Sequence, residues 1–192
     1  MSFIKKINRG LLCFVVVILF VLAYLISVSV SRNAEKPAIK SAISDFMDTY
    51  YQYTMLPEKY RAVGATMPEE EFKSYLNKMQ TDIEKFFETK EYATYTKNKL
   101  TQVLSNQSQA GSIIVKNEYK ITRYDFSYTD HIVTVNILST VSSENIGKQR
   151  NQNSTTVNDT VSLKLTGGKW NILSANITDN SNQEPSYLER KY

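Results

Sequence analysis

Residues 121–138 read ITRYDFSYTDHIVTVNIL. Apolar and polar residues alternate on both sides of Thr129-Asp130, the period-two pattern of half-buried strands. With a two-residue turn there, Tyr128 faces His131, Phe126 faces Val133 and Tyr124 faces Val135. Aromatic residues opposite β-branched ones are favourable cross-strand pairs, so the register is self-consistent. Upstream, the apolar phase moves from Tyr119 and Ile121 to Tyr124 and Phe126. A shift by one residue predicts a β-bulge near Thr122-Arg123 and a bent sheet.

The same period extends outward. Residues 113–116 read as the end of a first strand, and 120–128 and 131–141 as the paired strands. Residues 143–154 are polar and read as an exposed loop. Residues 157–166 and 169–178 form a second hairpin around Gly167-Gly168, a strong two-residue turn signal. Its register sets Leu165 against Trp170, Leu163 against Ile172, Val161 against Ser174 and Asp159 against Asn176. Residues 179–192 are a polar tail without periodicity.

Before residue 113 the period is three to four. Ile39, Ala42, Ile43, Phe46, Met47, Tyr50 and Tyr53 predict an amphipathic helix over residues 37–55, with Pro37 in its first turn. Pro57 and Gly64 bracket a loop. Pro68 followed by Glu69, Glu70 and Glu71 opens a second helix with acidic side chains at its positive end. Its stripe is Phe72, Tyr75, Leu76, Met79, Ile83, Phe86 and Phe87. A third helix over residues 90–104 is expected to bury Tyr92, Tyr95, Leu100, Val103 and Leu104. The break before it falls near Thr89, and the polar run SNQSQAGS closes the helical half.

Residues 11–30, LLCFVVVILFVLAYLISVSV, begin at Leu11 and end at Val30 without a charge or a proline. A helix of about 20 residues spans roughly 30 Å, the thickness of a bilayer's hydrocarbon core. A cleavable signal peptide has a shorter apolar region, about 7–15 residues, so the length favours a retained anchor over cleavage near Ser29-Val30-Ser31. Cys13 stands at the start of the run behind Leu12, the wrong place for a lipoprotein cysteine. Lys5, Lys6 and Arg9 crowd the short tail, and a long domain follows, which translocates largely regardless of charge. The expected layout is a cytoplasmic tail (1–10), a transmembrane anchor (11–31), a linker (32–36), an extracytoplasmic domain (37–178) and a polar tail (179–192). That places the chain in the cytoplasmic membrane as a single-pass protein, N-terminus inside.

Of the 23 basic residues, Lys5, Lys6, Arg9 and Arg32 precede residue 33; the 19 that remain balance the 19 acidic ones. The domain is therefore neutral, which argues against direct nucleic-acid binding. Its lack of cysteine excludes a disulfide and a cysteine metal site, and His131 alone cannot make a histidine cluster. No cofactor-binding motif appears.

Helices followed by long antiparallel strands predict an α+β fold: a transmembrane helix, then about three helices packed on a bent antiparallel sheet of about four strands. This order resembles the nuclear-transport-factor-2-like (cystatin-like cone) superfamily. The helix pair, the strand pair ITRYDFSYTDHIVTVNIL and the closing hairpin VSLKLTGGKWNILSANI carry the resemblance. With the anchor, the chain is similar to the bitopic scaffold component of type IV secretion and conjugation machines. The resemblance implies a non-catalytic assembly module that contacts other channel subunits and itself. Better-known Gram-negative members carry an Asn-Pro-x-Gly turn that is absent here. The resemblance is then to divergent Gram-positive relatives, or to another anchored member of the superfamily.

Some proteins of that fold are enzymes that use an Asp, His or Tyr inside the cone. The residues in question here are Asp125, His131, Asp159, Tyr124 and Tyr128. His131 sits at a solvated hairpin tip, which suits catalysis poorly. Asp159 shares a face with Val157, Val161 and Leu163, where an apolar pocket raises a carboxyl's pKa; the plainer reading is a hydrogen bond to Asn176. Tyr51, Tyr60 and Tyr128 are candidates for exposure. Tyr51, Tyr60, Tyr124, Tyr128, Asp159 and Trp170 form the candidate interface or cone-lining set. The leading expectation is a membrane-anchored scaffold subunit of a secretion or conjugation channel. The alternatives are an anchored ligand-binding or immunity-type domain, a component of another envelope complex such as a sporulation channel, and an anchored enzyme. A scaffold predicts exposed aromatics on the sheet, a binder an open apolar cone, and an enzyme a buried carboxyl with a shifted pKa.

Overall fold

The computed structural model describes residues 9–61, 65–110, 112–127, 130–145 and 152–178. The chain divides into two compact units, Met1–Lys40 and Ser41–Tyr192.

The first unit consists, among its described residues, of helix α1, which spans Arg9–Thr54 and continues into the second unit. The apolar run from Leu11 carries its side chains outward, Phe20 at 72 % exposure. The helix is long and apolar enough to cross a membrane. Residues 31–37, expected as a polar link, are helical instead. Ala34, Glu35 and Lys36 are good helix formers, and no glycine interrupts them. Pro37 lies inside the helix, where it has no N–H to offer the Asn33 carbonyl.

Among the described residues, the second unit holds the end of α1, three further helical elements and a four-stranded antiparallel sheet. After the end of α1 come a 3-10 turn at Glu58–Tyr60, helix α2 at Glu69–Glu84 and helix α3 at Lys90–Ala110. Strands β1 (Ser112–Phe126), β2 (Ile132–Asn145), β3 (Gln152–Thr166) and β4 (Lys169–Asn176) lie in the order β1-β2-β3-β4. The fold is α+β, as the change of period predicts.

Alternation decides which face of the sheet is buried. Val133, Val135, Ile137 and Val141 of β2 and Val161 and Leu163 of β3 point inward. Phe46, Met47 and Tyr50 of α1, Met79 and Ile83 of α2, and Leu100 and Leu104 of α3 complete the core. Each such aliphatic side chain contributes about 1.5–3 kcal/mol on leaving water. Phe46 packs edge-on against Phe86 and Phe87, with centroids 5.8 and 5.7 Å away.

Phe86 and Phe87 lie beyond the end of α2, not on its stripe. The segment runs beside β4: the Ile172 N–H donates to Phe86 O (2.7 Å), and the Glu88 N–H donates to Ile172 O (2.9 Å). It thus covers the outer edge of β4. Strand β1 pairs with β2, and no strand lies along its other edge among the described residues.

Several boundaries differ from the sequence reading. Residues 112–126 form one strand, not two. It carries the predicted irregularity between Ile121 and Arg123 and a second one between Ile114 and Lys116. Phe126 faces Val133 and Tyr124 faces Val135, as read; Tyr128 and Thr129 lie outside the described residues. Strands β2 and β3 extend into the stretch expected as a loop, reaching Asn145 and starting at Gln152. At the second hairpin, Gly167 and Gly168 both take positive φ, as a two-residue turn requires. Leu165 faces Trp170 and Leu163 faces Ile172, but beyond a shift at Ser162/Leu163 the partners are Val161↔Ala175 and Thr160↔Asn176. The expected pairs Val161–Ser174 and Asp159–Asn176 do not form, because β4 has one extra residue there, Leu173, which the ladder skips.

Helix α3 also runs further than expected, through Ala110. Its buried face is Ala93, Thr96, Leu100, Val103 and Gln107, while Tyr92 and Tyr95 are 43 % and 64 % exposed. The tyrosines turn out to water.

Candidate functional site

The last turns of α1 and the middle of β1 border an open groove of about 470 Å³. Helix α1 supplies Asp48, Tyr51 and Gln52, and Met55 follows it directly; β1 supplies Asn117, Glu118 and Tyr119. Asp48, Tyr51 and Met55 recur at three and four residues, so they share one helix face. Tyr119 lies on the inner face of the sheet, opposite Ser139. Its ring meets that of Tyr51 at 5.9 Å, and its hydroxyl donates to Asp48 Oδ1 at 3.3 Å.

A polar tie closes the end of α1 beside the groove. The Thr54 hydroxyl donates to Tyr51 O (2.8 Å) and accepts from Asn117 Nδ2 (2.8 Å). The buried Gln107 donates from Nε2 to Thr54 O (2.6 Å) and accepts the Ile114 N–H on Oε1 (2.8 Å). The Thr54 carbonyl, orphaned at the helix end, is thereby satisfied by α3. The Asn117 Oδ1 is buried and has no hydrogen-bond partner among the described residues.

Behind Tyr51 lies a small set of buried polar groups, with Ser139 and Asp159 both 1 % exposed. Asp159 Oδ1 accepts the Thr178 N–H at 2.7 Å. Asp159 Oδ2 and Ser139 Oγ have no well-formed hydrogen bond among the described residues. Burial pushes the Tyr51 hydroxyl up to about 12; the neighbouring Ser139 hydroxyl opposes the rise, and the charges of Asp159 and Tyr119 add to it. Burial likewise raises the Tyr119 hydroxyl. Neither phenol is set up to act as a base near neutral pH.

The structure does not gather the sequence's candidate residues into one site. Tyr51 lines the groove, but at 6 % exposure it is buried rather than exposed as expected, because it sits on the core side of α1. Asp159 is near it and lies below the groove. Tyr60 is half-buried elsewhere, donating its hydroxyl to Glu71, which Lys59 also pairs. Tyr124 is half-buried on β1, its hydroxyl raised by burial. Trp170 is 8 % exposed and packs opposite Leu165. Asp125 pairs with Arg123 (2.7 Å) and accepts from Asn136 (2.8 Å) on the outer face. His131 is exposed at the hairpin tip with φ +50°. The large exposed aromatics of the described domain are Tyr92 and Tyr95 on α3, not residues of the sheet.

Asp48, Gln52, Asn117, Glu118 and Tyr119 are groove residues that the sequence reading passed over. Two signals point to them in retrospect. Asp48 stands one turn before Tyr51, and Tyr119 is an aromatic just ahead of the bulge.

No family model matches this chain, and no curated protein matches it. Among solved structures it is similar to the crystal structure of the intermembrane space region of the chloroplast protein ARC6. The identity is 9 %, the match covers 77 % of this chain and 96 % of that one, and the TM-score is 0.33. At that score the likeness carries no argument about fold or function.

Proposed function

We propose that this chain is a membrane-anchored, non-catalytic assembly module. On this reading its α+β domain stands outside the cytoplasmic membrane and contacts other subunits of a secretion or conjugative-transfer channel. The observation that carries the reading is the groove between α1 and the free edge of β1. It is open, and it sets two tyrosines beside the Asp48 carboxyl. Rigid aromatics with polar tips are common contact residues at protein interfaces. The apolar run of α1 supports the anchor, since tethering raises the local concentration of a domain for its partners. The neutral charge of residues 33–192 supports protein rather than nucleic-acid partners. The resemblance to the nuclear-transport-factor-2-like superfamily and to the bitopic scaffold family belongs to this proposal.

A ligand-binding role is the second reading. It is favoured by the buried polar atoms of Ser139 and Asp159 behind Tyr51.

Cross-linking in the native cell, then purification of the full-length protein in detergent and mass spectrometry, separates the two. Envelope or channel subunits that co-purify are the expected result. Recovery of the chain alone, at monomer size, overturns the assembly reading.

A further inference from the structure

We propose that the β1 edge and its groove capture an extended segment of a partner polypeptide bearing a lysine or arginine. This deepens the assembly reading and rests on it, in that it states what kind of chain the groove engages.

Three observations converge on this edge. First, the two ends of the sheet differ. The outer edge of β4 is occupied by residues 86–88, whereas β1 has no neighbour on its far side among the described residues. A free edge presents backbone N–H and C=O groups that another extended chain can pair with. The irregularities at Ile114/Lys116 and Ile121/Arg123 interrupt β1 on either side of a regular run from Lys116 to Ile121. At about 3.4 Å per residue that run is long enough for a short added strand.

Second, the groove opens along the same run. Asn117, Glu118 and Tyr119 belong to both, so a strand laid on this edge passes over the groove. An added strand directs alternate side chains to one face, and one of them enters the groove.

Third, the lining selects the charge of that side chain. Asp48 is acidic, no lining residue is basic, and the Tyr51 and Tyr119 rings supply π faces, whereas the Glu118 side chain alternates to the outer face of the strand. Asn117 Oδ1 adds a buried acceptor without a partner among the described residues. A carboxylate, an amide oxygen and aromatic faces together suit an ammonium or guanidinium group. Glu118 instead pairs with Lys116 at 2.7 Å on the outer face, away from the groove. Asp48 is held only by the 3.3 Å contact from the Tyr119 hydroxyl among the hydrogen bonds described.

The test uses full-length protein in nonionic detergent and fluorescence anisotropy. The probe is a labelled peptide of alternating threonine and valine with one central lysine. Three comparisons accompany it: norleucine in place of the lysine, alternate backbone amides methylated, and spermine as a competitor. The lysine peptide is expected to bind with Kd below about 1 mM. The norleucine and methylated peptides, and the variant Asp48→Asn, are each expected to bind about tenfold more weakly. Asp125→Asn, on the outer face away from the groove, is expected to leave binding unchanged. No binding of the lysine peptide, equal binding of the norleucine peptide, or equal binding of the methylated peptide overturns the proposal. Spermine competing as well as the unlabelled lysine peptide also overturns it, in favour of a small-polyamine site. Peptide binding with no envelope subunit recovered from cells would sink the assembly reading and leave the groove standing. The reverse result would sink the groove alone.

Discussion

Asp159 Oδ1 accepts the backbone N–H of Thr178 at 2.7 Å, while its Oδ2 is buried without a partner among the described residues. The bond holds the chain just past β4, where Ile177 is 3 % exposed and its carbonyl also accepts from Lys99. One oxygen therefore has a structural duty and the other faces a desolvation cost. Asp159→Asn keeps an acceptor for Thr178 and puts a donor where the orphan oxygen stands, near the Ser139 and Tyr51 hydroxyls. We expect Asp159→Asn to be neutral or stabilising by up to about 1 kcal/mol, and Asp159→Ala to cost about 1–2 kcal/mol. Urea denaturation of the two variants checks this. Equal losses for both would mean that the charge itself holds the fold.

That bond also marks where sequence reading stops. The turn at Gly167-Gly168 and the first pairs after it follow from local chemistry and alternation. Then Leu173 follows Ile172 directly, and two adjacent apolar residues leave the phase ambiguous. Ser174, Ala175 and Asn176 are too small or too polar to restore it, so nothing local reports that Leu173 is skipped by the ladder. The one trace is the odd spacing from Ile172 to Ile177, both buried. The bulge near Thr122 was legible because strong apolar residues flank it on both sides. Helix α3 misled in another way. The Tyr92 and Tyr95 series and the Ala93, Thr96 and Leu100 series have similar helical spacing, and side-chain size favours the wrong one. The groove was illegible because it joins α1 to β1, residues 48–55 to residues 117–119. No local pattern encodes that juxtaposition.

The Tyr53 hydroxyl donates to Asp82 Oδ2 at 2.5 Å, joining α1 to α2, and the Tyr53 ring packs on Tyr75 with centroids 5.4 Å apart. The bond holds the Asp82 carboxyl below the usual carboxylate range; burial raises the Tyr53 hydroxyl, and the bond to Asp82 adds to the rise. Tyr53→Phe keeps the ring and removes the bond, at an expected cost of about 1–2 kcal/mol near neutral pH. A depressed carboxyl contributes stability above its unfolded pKa, about 3.9, and loses it as pH falls through the lower folded value. A raised phenol contributes stability below its unfolded pKa, about 10, and loses it as pH rises beyond that toward the higher folded value. The difference between wild type and Tyr53→Phe should therefore be a plateau that shrinks at both acid and alkaline ends. Denaturation midpoints measured across pH test the shape, and a difference that does not shrink toward either end would contradict it.

Gln107 joins three elements by its two amide ends, donating to Thr54 O at the end of α1 and accepting from Ile114 at the start of β1. Both partners are buried, so truncation leaves a carbonyl and an N–H without partners. Gln107→Ala is expected to cost about 2–4 kcal/mol, lowering Tm by about 2–4 °C for each kcal/mol. Gln107→Glu retains the acceptor for Ile114 but brings a carboxyl against the Thr54 carbonyl, and should cost as much or more. Thermal melts of the detergent-solubilised protein decide. A Gln107→Glu variant as stable as wild type would show that the Ile114 bond alone matters.

Leu19 lies near the middle of the apolar run of α1 and is 59 % exposed on the isolated chain. In a bilayer that surface faces lipid. In water it would be an exposed apolar face of a size soluble monomers avoid. An arginine at the centre of a membrane helix costs about 2.5–3.5 kcal/mol on the insertion scale, whereas an isoleucine costs almost nothing. The wild-type chain and Leu19→Ile should resist alkaline carbonate extraction from membranes, and Leu19→Arg should be partly released. N-terminal sequencing of the membrane-bound form should find residues before Ser31. A mature chain beginning after Ser31 and found in the soluble fraction would make the run a cleaved signal, and the domain would then have to find its partners without the concentration a tether provides.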